Sequence, residues 1–138
     1  MNPHQIYQQQ QTSNATRIEM LLGLYDKAIQ NLTQAHQALK RGNLSAATPL
    51  VLQAQVMVYA LANGVDLQYG EISQNMLRLY EFVLHRLGSS EAQNIGEALH
   101  VLTILREGFR EIEPKAKAME LSGKLPRPKS VPALQMSA

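Results

Sequence analysis

Four long apolar stripes at helical spacing, each closed by a stop signal, constrain this chain more than any other feature. The first passes through Ile18, Leu21, Leu22, Tyr25, Ala28, Ile29, Leu32, Ala35 and Leu39. A period of about 3.6 residues lays such a set along one face of a helix. Thr16-Arg17-Ile18-Glu19 opens this stripe as a capping box, and Lys40-Arg41-Gly42 closes it with cations and a glycine. The second stripe holds Leu50, Val51, Ala54, Met57, Val58, Leu61, Ala62 and Val65. It begins between Asn43 and Thr48, with Thr48-Pro49 as a suitable cap and Ser45 as an earlier start. Gly64 and Gly70 end it. The third holds Ile72, Met76, Leu79, Tyr80, Val83, Leu84 and Leu87, and Gly88-Ser89-Ser90 breaks it. The fourth holds Ile95, Ala98, Leu99, Leu102, Leu105, Phe109 and Ile112, and meets Pro114, which ends the helix or kinks it before 115–121. No segment sustains a two-residue alternation.

Four amphipathic helices with short connectors predict an all-α fold, an antiparallel up-down four-helix bundle. The helices are expected near 16–41, 44–68, 71–87 and 90–113, with the bundle over 16–113. A short N-terminal arm, 1–15, precedes it, with room for an extra helix at 3–11. A basic, proline-containing tail, 114–138, follows, with disorder expected after about 123. The 138 residues suffice for one domain.

The charge is unevenly placed. From Pro114 onward five basic residues face one acid, Glu120, which is net +4; the rest holds eight basic and ten acidic residues, net −2. The body therefore lacks the concentrated Lys and Arg of a nucleic-acid surface. The absence of cysteine removes disulfides, thiol nucleophiles and Cys-ligated metals. No uninterrupted apolar run approaches the roughly 18 residues of a membrane span, and the N-terminus lacks an apolar signal region, so the reading is cytoplasmic, without membrane insertion.

Apolar residues also occur off the core stripes. Leu52, Val56, Tyr59 and Leu67 lie nearly opposite the stripe of the second helix; Leu77 and Phe82 repeat this on the third, and Val101 and Ile104 on the fourth. Singly, exposed apolar residues are ordinary. On three consecutive helices they predict an apolar groove for an amphipathic partner helix.

The residues give catalysis little footing. Glu97-x-x-His100 has di-iron spacing, but such bundles need two of these motifs and two further inward glutamates. Glu81 and His85 form a simple i,i+4 pair. His36, in Ala35-His36-Gln37-Ala38-Leu39-Lys40-Arg41-Gly42, resembles the exposed histidine of histidine phosphotransfer bundles, which makes that function the alternative. The leucine and the glycine each fall one residue from that motif's spacing, and Gly42 serves equally as a helix stop. The reading is a binding protein rather than an enzyme, with no metal or cofactor.

Several strings resemble the FliS family of flagellar secretion chaperones. Asn14–Ile29, with Glu19 and Tyr25-Asp26, is similar to that family's Thr-Ala-Ser-Pro-x-Glu-Leu-x-x-x-Leu-Tyr-Asp-Gly-Ala-Ile. Leu52–Gln55, then Asp66, Gly70-Glu71-Ile72, Asn75, Leu79-Tyr80 and Arg86-Leu87 follow in the family's order, and Leu102, Leu105, Arg106 and Phe109 fit its last motif. Arg17 stands in place of a proline, Gly23 of an apolar residue, Val65 of a leucine and Phe109 of a tryptophan. The resemblance implies a chaperone that binds the C-terminal segment of flagellin in apolar grooves, blocks its polymerisation and assists delivery to the flagellar export gate. By matching position it implies contact residues Tyr7, next to Ile6 in the arm, and Gln55 and Asn75, amides beside apolar rows. The surface pattern adds Leu52, Val56, Tyr59, Val101 and Ile104, with Leu79 as a neighbour on the third helix. Empty grooves could also pair two copies as a homodimer. Asp26, Asp66 and Glu71 are expected to cap or pair within the bundle.

Overall fold

The computed structural model describes residues 15–125. The arm with Ile6 and Tyr7, the helix expected at 3–11, and the segment from 126 onward lie outside the described residues. Four helices follow in order: α1 (Arg17–Lys40), α2 (Leu44–Asn63), α3 (Glu71–Leu87) and α4 (Ala92–Leu121), with a 3-10 turn at Leu67–Tyr69 and, among the described residues, no strand.

The α1 start is the expected one. The Thr16 hydroxyl accepts from the Glu19 N–H and the Glu19 carboxylate accepts from the Thr16 N–H, at 3.4 and 3.0 Å. The bonds to Thr16 and the nearby Lys117 ammonium hold the Glu19 carboxyl below its ordinary pKa. The stop after Lys40 is also as expected, with Gly42 at φ 74°. α2 begins earlier than Thr48. Asn43 caps it by accepting from the Ala46 N–H at 3.1 Å, and Pro49 sits inside the helix. It ends at Asn63 rather than 68, because Asp66 caps the 3-10 turn by accepting from the Gln68 N–H. α4 passes through Pro114 and continues two turns beyond 113, so the segment 114–121 belongs to the bundle rather than to a tail.

Each helix packs on two neighbours: α1 and α3 both lie against α2 and α4, so the four form a ring with α1–α3 and α2–α4 as its diagonals. Ion pairs give the directions. Glu19 meets Lys117 and Asp26 meets Arg110, rising numbers on α1 against falling ones on α4. The Arg86–Glu97 ion pair, with the hydrogen bond from Asn94 to Ser89 in the connector, does the same for α3 and α4. The bundle is therefore antiparallel.

The core joins Tyr25, Ala28, Leu32 and Ala35 of α1, Ala54, Met57, Val58 and Leu61 of α2, Tyr80, Val83 and Leu87 of α3, and Ile95, Ala98 and Leu102 of α4. Met20 and Leu24 are buried off the expected α1 stripe. α2 is long and apolar enough, by length and composition, to cross a membrane, because only uncharged polar residues interrupt it. Its inward face is bundle core.

Candidate partner-binding surface

Polar contacts mark which way each helix faces. On α2, Gln53 accepts from Asn31 of α1 at 3.1 Å, and Gln55 donates to the Leu87 carbonyl of α3 at 3.1 Å. Leu52, Val56 and Tyr59 point away from the bundle between these two seams, exposed by 56%, 37% and 56%. Leu44, Leu67 and Tyr69 extend the exposed apolar set to both ends of α2. Between Leu44 and Asn63 no side chain carries a charge.

The second apolar surface lies elsewhere. On α3, Arg86 reaches across to Glu97 of α4 at 2.9 Å. At about 100° per residue, Ile72, Leu79 and Phe82 fall on that same side of α3. On α4 the side carrying Glu97 also carries Val101, Ile104 and Ile112. The Arg86–Glu97 and Ser89–Asn94 pairs set the register, which brings Leu79 level with Ile104 and Phe82 level with Val101. Leu79, Phe82 and Ile104 are exposed, whereas Val101 is half-buried against the core. Arg86 lies 5.0 Å from the Phe82 ring centre. α2 and α4 are diagonal, so the apolar residues of helices two to four form two surfaces rather than one groove.

The two amides already have partners. The donor group of Gln55 is bonded to Leu87, and the Asn75 oxygen accepts from Arg78 at 3.0 Å. Leu77 is half-buried. Asp26 pairs with Arg106 and Arg110 on α4, and Asp66 caps the 3-10 turn. The α1–α4 seam is polar, with a notch of about 330 Å³ opened at Gly23.

Periodicity places Ile72, Leu79 and Ile112 on core stripes, yet all three are exposed. Ile72 is in the first turn of α3. Ile112 is level with Glu71, where α3 begins, so no neighbour covers it. Helix register, not spacing, determines their exposure.

His36 is half-buried, and its Nε2 lies 3.4 Å from where a Cβ on Gly96 of α4 would stand. Glu97 is committed to Arg86, and among the described residues no group of three His, Cys, Asp or Glu side chains could hold a metal.

A family model described as flagellar protein FliS matches residues 1–116. The chain is 26% identical over 113 residues to a flagellar secretion chaperone FliS of Salmonella typhimurium, covering 78% of this chain and 84% of the relative. It is 24% identical over 127 residues to one of Bacillus subtilis, covering 88% and 95%.

Proposed function

The chain belongs to the FliS family of flagellar chaperones, and from that premise we propose that it holds the C-terminal segment of flagellin on its two apolar surfaces until export. The charge-free outer face of α2 carries this reading. A partner helix with an apolar stripe can cover Leu52, Val56 and Tyr59 without desolvating a single charge, which would otherwise cost more than the contact returns. A second helix of the same segment suits the α3–α4 surface around Leu79, Phe82, Val101 and Ile104. Two surfaces on opposite flanks favour a long segment that folds as it wraps, which lowers affinity per unit area but covers a large area.

In this reading the flagellin surfaces that polymerise are occupied, so premature assembly is blocked, and the complex is carried to the export gate in the cytoplasm. Ile6 and Tyr7 of the arm complete the proposed set of partner contacts. Calorimetry with the C-terminal peptide of the host's flagellin tests the proposal. Saturable binding with a large negative heat-capacity change supports it. Absence of binding, or phosphate uptake at His36 from a response regulator, would overturn it.

A further inference from the structure

The family match ends at residue 116, yet α4 runs on to Leu121. The extension lies across the start of α1. The Arg17 N–H donates to the Glu120 carboxylate at 2.9 Å, and Lys117 reaches Glu19 at 3.5 Å. Between the extension, the first turns of α1 and the end of α2 lies a mostly apolar pocket of about 380 Å³. Its walls include Ile18, Leu21, Leu24, Leu61 and Ala116. The helix then closes in a glycine turn, with Gly123 at φ 81°. The N–H groups of Lys124 and Leu125 both return to the Met119 carbonyl, at 2.8 and 3.2 Å. This reversal brings Leu125 into the pocket wall.

The chain therefore leaves the described structure at the rim of an apolar pocket. The residues that follow, 126–138, read PRPKSVPALQMSA. A basic, proline-rich spacer comes first, and the apolar members Val131, Ala133, Leu134 and Met136 cluster after it. We propose that this apolar end of the chain folds back into the pocket and occupies it as an intramolecular ligand. At about 3.3 Å per extended residue, the spacer 126–130 spans at most roughly 17 Å, so the cluster stays near its own exit point. Tethering on so short a linker gives an effective concentration in the millimolar range, so a contact too weak to form between separate molecules suffices here. Glu120 and Leu125 of the pocket wall, and the proposed occupant, follow the segment that the family model matches, and the pocket is separate from the outer face of α2 proposed above for flagellin.

The test uses full-length protein with labelled methyl groups. In the Val131→Asp/Leu134→Asp variant the methyl resonances of Ile18, Leu21 and Leu61 should shift, while those of Leu52 and Val56 stay in place. A synthetic peptide of residues 126–138 added to that variant should restore the shifted resonances. The same peptide should bind wild-type protein at least about tenfold more weakly, because the tethered segment competes. Unmoved resonances in the variant would overturn the proposal. So would a peptide footprint on the outer face of α2, or movement of the pocket resonances only in an Ile6→Asp/Tyr7→Asp variant, which would assign the pocket to the N-terminal arm.

Discussion

The hydroxyl of Tyr25 lies 2.6 Å from that of Tyr80, a hydrogen bond that crosses the core between α1 and α3. These helices are diagonal in the ring, so only two long side chains meeting head-on can join them. The Tyr25 ring also leans on Phe109 of α4, with centroids 5.7 Å apart. Each hydroxyl sits where water does not reach, and each satisfies the other. Tyr25→Phe should therefore strand the Tyr80 hydroxyl and cost about 1–3 kcal/mol of unfolding free energy. The Tyr25→Phe/Tyr80→Phe double variant should lose less than the two single losses combined, because it removes both polar groups. Denaturant unfolding of the four proteins gives the coupling directly. Additive losses would mean that the pair contributes nothing as a pair.

The same pair sets a limit at alkaline pH. Burial pushes the Tyr80 hydroxyl up to about 12 and drives Tyr25 in the same direction. An unfolded tyrosine ionises near pH 10. Above that pH the unfolded chain has released protons that the folded chain retains, so stability falls as pH rises. It should be intact below about pH 10 and decline steeply toward pH 12. The double phenylalanine variant should show a shallower decline in the same thermal-unfolding series, and an identical slope would contradict the assignment.

The limits of the sequence reading are physical. The number of helices, the capping box at Thr16 and the α1 core residues Ile18, Leu22, Tyr25, Ala28 and Leu32 were legible because each depends on neighbours within one or two turns; Met20 and Leu24, buried off that stripe, were not. The end of α4 was not. Pro114 removes one backbone donor and by itself argues for a stop, but the helix continues because Glu120 and Lys117 meet the start of α1, a contact about a hundred residues away in the chain. The α2 end failed for a similar reason. Val65 continues the apolar period past Gly64, yet it packs on the core from outside the helix, as a half-buried residue beside the capped 3-10 turn. The surface stripe Leu52, Val56 and Tyr59 was legible because periodicity gives its direction within α2. The division into two surfaces was not, since it depends on which helices are diagonal.

That division gives a prediction on binding. Val56→Asp on α2 and Ile104→Asp on α4 each place a charge on a different apolar surface. Each should weaken binding of the flagellin C-terminal peptide by more than about 1 kcal/mol, roughly fivefold or more. Neither should change unfolding free energy by more than about 0.5 kcal/mol, because neither leaves a cavity. The two losses should add, since the sites lie on diagonal helices with no shared partner. Wild-type affinity in Val56→Asp would remove the outer face of α2 from the site.

Glu120 makes the last prediction, because it combines burial with a place at a helix start. Its carboxylate is only 3% exposed and accepts from the Arg17 N–H, the first helical amide of α1. The first amides of a helix have no partner within the helix, and its N-terminus carries a partial positive charge. A carboxylate from α4 thus does for α1 what a local cap does, and it ties the two helix ends together. Glu120→Ala removes both the acceptor and the charge and should cost about 1–3 kcal/mol. Glu120→Gln keeps an oxygen for the Arg17 N–H and loses the charge at the helix end, so its loss should be smaller than that of Glu120→Ala by about the 0.5–1.5 kcal/mol of the retained hydrogen bond. Lys117→Ala serves as the comparison. Lys117 is 37% exposed in its pair with Glu19, and a surface pair of that kind should register less than about 1 kcal/mol. Hydrogen exchange locates the effect: amides of residues 118–122 should exchange faster in Glu120→Ala while those of α2 remain protected, because the extension detaches before the bundle opens. Unchanged exchange in that segment would mean that α4 holds its last turns without α1.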